Sequence, residues 1–312
     1  MVGPRLKIAT LFAVIIALFV LIGGLVGEFL FDSWLAGLVI ALSLSLVLNL
    51  VSYFACDRLV LWSTKAKIVP PEEAPRLARI VHELAPEFGL VDPRIAIVPT
   101  QTPNAFATGR NERHAIVAAT EGILRLLDDR ELKGVIAHEL AHIKDRDVLL
   151  MTFAATLAGA ISYAAQIVFF SMLFGGVGGR RSNVNPIVLV IALITAPIAA
   201  MLIQLAISRS REFRADQVGA YTVGDPDALA SALGKLESGN RARPMNVGSP
   251  AQSSLYIVNP FRGASFASLF STHPPTSERI RRLRAMRSDY RYRPNVRGPS
   301  VRSGSSGRPA RS

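Results

Sequence analysis

The sequence predicts a multi-pass α-helical membrane protein with about four transmembrane helices and an α+β domain on the cytoplasmic side. Three observations lead there. Four long stretches carry no Asp, Glu, Lys or Arg: Ile8 to Gly27, Ser33 to Cys56, Val148 to Gly179 and Ser182 to Ser208. Lys and Arg gather on one side of the spans that these stretches would form. The segments between and after them alternate helical and strand patterns, as a folded α+β domain does.

Crossing a bilayer takes about 20 mostly apolar residues, and buried helices of soluble proteins seldom run so long. The first stretch follows Arg5 and Lys7, as a signal peptide would. It lacks a small-x-small cleavage site and a second span soon follows, so it reads as an uncleaved anchor. Only the acids Glu28 and Asp32 separate spans one and two. Arg58, Lys65 and Lys67 follow span two, Lys144 and Arg146 precede span three, and Arg209, Arg211 and Arg214 follow span four. Arg180 and Arg181, in the turn between spans three and four, are the one contrary signal. The balance places both termini in the cytoplasm.

The expected organisation is residues 1–56 as two spans, 57–147 as the first part of the cytoplasmic domain, 148–207 as a membrane hairpin, 208–287 as the second part, and 288–312 as a disordered tail. Within the first part, Leu77, Ile80, Val81 and Leu84 give Glu73 to Glu87 the spacing of an amphipathic helix. Arg94 to Pro99 and His114 to Ala119 read as short strands, with turn signals at Pro103-Asn104 and Gly109 to Glu112. Thr120 suits an N-cap for Glu121 to Leu127, and Asp128-Asp129 opens a further helix with acids at its positive end.

Lys and Arg number 35 against 23 acids, a formal charge of +12. Ten arginines and a single acid, Asp289, lie between Arg281 and Ser312, so much of the excess is tail. That tail is rich in Ser, Gly and Pro and has no apolar pattern with which to order itself. Without an accompanying aromatic groove pattern, nucleic acid is not expected as a partner; a solvated end or contact with anionic lipid headgroups fits better. The single cysteine, Cys56, excludes an intrachain disulfide and a multi-cysteine metal site.

The helix opened by Asp128 carries His138-Glu139-Leu140-Ala141-His142. Positions i and i+4 share a helix face, so both imidazoles can bind one Zn²⁺, with Glu139 beside them to take a proton from an activated water. This H-E-x-x-H pattern marks zinc-dependent peptide hydrolysis. A catalytic zinc usually has three protein ligands. The third-ligand spacing of metzincins is absent, because Asp145 and Val148 stand where Gly and His would be needed. Asp145 and Asp147 are nearby carboxylates; Glu212 is the stronger candidate. Glu212 and Asp216 are i and i+4 on one helix face, an arrangement that is repulsive without a cation between them. Arg209, Arg211 and Arg214 could supply that charge. Alternatively a metal sits at Glu212 while Asp216 grips a ligand imidazole. Two spans separate His142 from Glu212, so the chain returns to the same side of the membrane.

These residues resemble the HtpX family of membrane zinc proteases, of the gluzincin clan. The resemblance covers Leu48 to about Arg284 and rests on Asn104 to Gly109, Ala137 to His142, Ser208 to Asp216 and Thr272 to Ile280. It implies a zincin-like metalloprotease domain with one zinc per chain, bound by His138, His142 and Glu212. Glu139 would be the general base, and Asp216 the partner of a ligand histidine, His138. The implied setting is the cytoplasmic membrane of a prokaryote, and the implied substrates are misfolded or damaged membrane proteins degraded under stress. Prenyl-protein proteases of the Ste24 type share the zinc motifs but have more spans. Asn104 to Gly109 resembles the clan's substrate-facing strand, with Asn104 and Ala105 as contact positions for a peptide added at its edge. His273 is a candidate donor to the developing oxyanion, though Pro274 and Pro275 equally suit a rigid turn. Two other classes compete. One is a non-catalytic scaffold with a structural zinc, which would not need Glu139. The other is a transporter, which the absence of charges within the spans disfavours.

Overall fold

The structure, a computed structural model, describes residues 32–149, 151–152, 209–248, 250–261 and 274–287, with isolated positions before residue 32. Almost all of the expected spans one and three, span four, His273 and the arginine-rich tail lie outside the described residues.

Helix α1 covers Trp34–Thr64 and is capped by Ser33, whose side chain accepts from Ala36 N. It does not end at Cys56, where the first domain boundary was expected. Beyond that point it continues into the folded domain, burying Cys56, Asp57, Val60 and Thr64. Counting described side chains alone, no helix is long and apolar enough to cross a membrane; those at positions 41, 44–45 and 48–53 of α1 are not among them.

A four-stranded sheet follows, made of β1 (Lys67–Val69), β2 (Arg94–Val98), β3 (Ala105–Thr108) and β4 (Ile116–Thr120), in the order β1-β2-β4-β3. Strands β2 and β4 are parallel, while β3 pairs antiparallel with β4, placing Ala105 opposite Ala119 and Thr108 opposite Ile116. Side chains alternate between two apolar layers. Ile95, Ala105, Ala107, Val117 and Ala119 face the helices, and Ala96, Val98, Phe106, Ile116 and Ala118 face Val60 of α1 and the segment Leu255-Tyr256. Burial on both faces explains why these strands read as continuous apolar runs.

Helix α2 (Pro75–Leu84) is shorter than the spacing predicts, because Pro86 cannot donate to a helical carbonyl and the chain tightens into a 3₁₀ turn over Ala85–Phe88. Thr120 caps α3 (Glu121–Leu126), accepting from Ile123 N. Asp128 caps α4 (Asp129–Lys144) in a capping box with Glu131, whose carboxylate also accepts from Ser231 Oγ and Lys235 Nζ at 2.7 Å each. Those two donors belong to α6 (Pro226–Ala242), so the start of α4 is fastened to the second part of the chain. Helix α5 (Arg209–Val223) packs along α4, and α7 (Thr276–Ala285) packs on α6. The approach of α5 to α4 is close: a Cβ on Gly219 would stand 2.9 Å from His138 N.

Candidate metal centre

Helix α4 presents His138 and His142 one turn apart, and α5 brings Glu212 against them from the far end of residues 148–207. All three are buried, with 3% exposure or less. The two Nε2 atoms are 3.2 Å apart. Glu212 Oε2 lies 3.7 Å from His138 Nε2, and Glu212 Oε1 lies 3.4 Å from His142 Nε2. Neighbouring donors around a tetrahedral zinc at 2.0–2.1 Å stand about 3.3 Å apart, close to these separations, although Glu212 faces the two histidines through different oxygens. Among the described residues this is the cluster of His, Cys, Asp and Glu that could hold a metal.

Asp145, considered above as a ligand, is turned outward and accepts from Arg214 Nε at 2.7 Å. Asp147 faces the opposite ring nitrogen of His142, with Oδ2 3.7 Å from Nδ1. Neither joins the cluster.

Asp216 lies one turn after Glu212 on α5, and its Oδ1 is 2.9 Å from His138 Nδ1. The cation that permits two acids on this face is Arg279 of α7, not the local arginines 209, 211 and 214. Its guanidinium grips Asp216 through Nε at 2.8 Å and Nη2 at 2.6 Å, and donates through Nη1 to Ile257 O at 2.7 Å. Arg279 is 1% exposed. Sequence reasoning missed it: 63 residues separate it from Asp216, and its one signal was its place in Thr272 to Ile280.

Burial and the Arg279 charge push His138 down to about 4, against the pull of Asp216. His142 is driven the other way, to about 10: burial opposes its charge, but Asp147, Glu212 and Glu139 overcome that. The metal-free site thus takes up a proton where a cation would sit. Glu139, 2% exposed, is lifted to about 7 by burial and by the Glu212 charge, against His142 and a backbone hydrogen bond from Ala107. Against the same burial, Arg279 and His138 hold Asp216 at about 2.

Asn104 and Ala105, expected to contact a peptide, are wholly buried instead. Asn104 Nδ2 donates to Val258 O at 2.6 Å, and Ala105 O accepts from Ile257 N at 3.3 Å. The chain's own segment Leu255–Val258 therefore lies along β3 at the outward-facing carbonyl of Ala105. An exposed edge was the wrong expectation for this conformation, because a segment some 150 residues away in sequence covers it.

Two histidines and a glutamate that could hold a metal, with a buried carboxylate beside them on an α+β scaffold, suit a metalloprotease site. Residues 71–287 match peptidase family M48. A protease HtpX homolog of Pyrococcus furiosus is 51% identical over 283 residues, 91% of this chain and 96% of that one. One from Syntrophobacter fumaroxidans is 47% identical over 289 residues, 91% of this chain and all of that protein. The chain belongs to peptidase family M48, among its HtpX proteases. A looser likeness is to the crystal structure of S. mikatae Ste24p, at 20% identity and a TM-score of 0.46, covering 89% of this chain and 64% of that one.

Proposed function

We propose that this metalloprotease is a zinc-dependent endopeptidase of a prokaryotic cytoplasmic membrane, with one zinc per chain held by His138, His142 and Glu212. The spacing of those three donor groups, with Glu139 beside them, carries the reading. A zinc ion held there by His138, His142 and Glu212 would supply Lewis acidity for water activation and carbonyl polarisation. Glu139 accepts the proton of the attacking water at a carboxylate oxygen and returns it to the departing amine nitrogen. Asp216 accepts from His138 Nδ1–H, which fixes the tautomer that leaves Nε2 free for the metal. A peptide adding along β3 would take the Ala105 carbonyl, so it enters only when Leu255–Val258 moves aside.

The membrane assignment is supported by α1. Its first 23 residues, Trp34–Cys56, are uncharged, a length of about 35 Å at 1.5 Å per residue against a hydrocarbon core of about 30 Å. Trp34, Leu35, Val39, Ile40, Leu46, Val47 and Phe54 are each more than half exposed, as side chains facing lipid would be. With both termini and the protease domain in the cytoplasm, the substrates are misfolded or damaged membrane proteins, and the role is quality control.

Metal analysis of the purified chain together with casein cleavage, with and without chelator, tests this reading. One zinc per chain and chelator-sensitive cleavage are expected. Cleavage that survives complete zinc removal would overturn it.

A further inference from the structure

His142 turns Nε2 toward His138 and Glu212, so Nδ1 points away from the cluster. A metal on Nε2 requires a neutral ring, which leaves the hydrogen on Nδ1 as a donor in a buried position. Among the described residues that nitrogen has no hydrogen-bond partner. The carboxylate facing it is Asp147, with Oδ2 at 3.7 Å. Asp147 is itself buried, and its Oδ1 accepts from Arg211 Nη1 at 2.9 Å. His138 has the same arrangement already closed, with Asp216 at 2.9 Å and Arg279 behind it. Each imidazole is thus backed by an aspartate, and each aspartate by an arginine.

The second set has a further property. Asp147 follows His142 by five residues and Arg211 immediately precedes Glu212. Their ion pair ties the segment just after His142 to the residue just before Glu212. We propose that Asp147 is the positioning residue for His142 and that Arg211 holds it in place. The spacing of these two segments then sets how tightly the site holds zinc. The proposal rests on the zinc reading above.

The test measures zinc affinity of the full chain in detergent by competition with a chromogenic chelator, with the absorption spectrum of the Co²⁺-loaded protein as a second readout. Asp147→Ala is expected to weaken zinc binding about 10–100-fold and to shift the Co²⁺ bands. Asp147→Asn, whose amide oxygen still accepts from Nδ1–H but whose NH2 then faces the Arg211 donor, is expected to fall between wild type and the alanine variant. Arg211→Ala is expected to weaken binding less, and the double variant Asp147→Ala with Arg211→Ala to be no worse than Asp147→Ala alone. Should Asp147→Ala not fold, Arg211→Ala and Asp147→Asn carry the test. Wild-type affinity and spectrum in Asp147→Ala would reduce the pair to a tie between chain segments and overturn the proposal. So would Asp147→Asn as weak as the alanine variant. A wild-type chain that takes up no zinc would sink the zinc reading itself, a result distinct from either.

Discussion

Arg279 and Asp216 form a two-point ion pair inside the protein, at 2.8 and 2.6 Å, with both side chains at most 5% exposed. The pair joins α7 to α5, and through His138 it reaches the H-E-x-x-H helix. Two charges buried together are tolerable because each neutralises the other; one alone is not. Arg279→Ala is therefore expected to destabilise the fold by about 3–5 kcal/mol. Denaturant unfolding in detergent measures it. Arg279→Lys is expected to recover part of that loss, because an ammonium cannot reproduce the planar two-point grip.

Gly219 is expected to tolerate no side chain. A Cβ there would stand 2.9 Å from His138 N and 3.1 Å from Ala137 C, and backbone cannot yield as a flexible side chain does. Gly219→Ala should push α5 off α4, separating Glu212 from the histidines, and lower both unfolding temperature and zinc content. Wild-type zinc content in this variant would show that α5 shifts freely without opening the ligand set.

Zinc uptake is expected to release a proton. In the metal-free protein His142, raised to about 10, is protonated at pH 8, while a ligating imidazole must be neutral. Zinc therefore competes with that proton. From this group, apparent affinity rises about tenfold per pH unit up to about 10 and levels off above it. Calorimetric titration at pH 8 in buffers of different ionisation enthalpy should report about one proton released per zinc. Binding without proton release would place the charge elsewhere in the cluster.

Ile257 gives the covered strand a test. Ile257→Pro removes the N–H that donates to the Ala105 carbonyl, loosening Leu255–Val258 from β3. If peptides bind along that edge, cleavage of a short peptide should rise several-fold with zinc content unchanged. A fall in cleavage at full zinc occupancy would mean that the segment belongs to the working site and does not cover it.

What was legible in the sequence was local. Thr120 and Asp128 announce their helices because a cap is a contact across three residues. His138 and His142 share a face because of the helical repeat. The Glu212–Asp216 pair was suspicious because two acids one turn apart need a cation. The identity of that cation was not legible, because Arg279 reaches Asp216 only through packing of α7 on the rest of the domain. The same holds for Leu255–Val258 over β3, and for the position of Asp147, whose place behind His142 depends on where Arg211 returns. The α2 boundary was missed for a local reason: Pro86 outweighed the apolar spacing around it.

In the proposed mechanism Glu139 moves the proton in hydrolysis while His138, His142 and Glu212 hold the metal. Glu139→Gln tests it most directly, because glutamine keeps the volume and a hydrogen-bonding oxygen but does not accept a proton at neutral pH. Zinc content and unfolding temperature should match wild type, while casein cleavage falls by about two to four orders of magnitude. Wild-type cleavage by a zinc-replete Glu139→Gln protein would contradict the account.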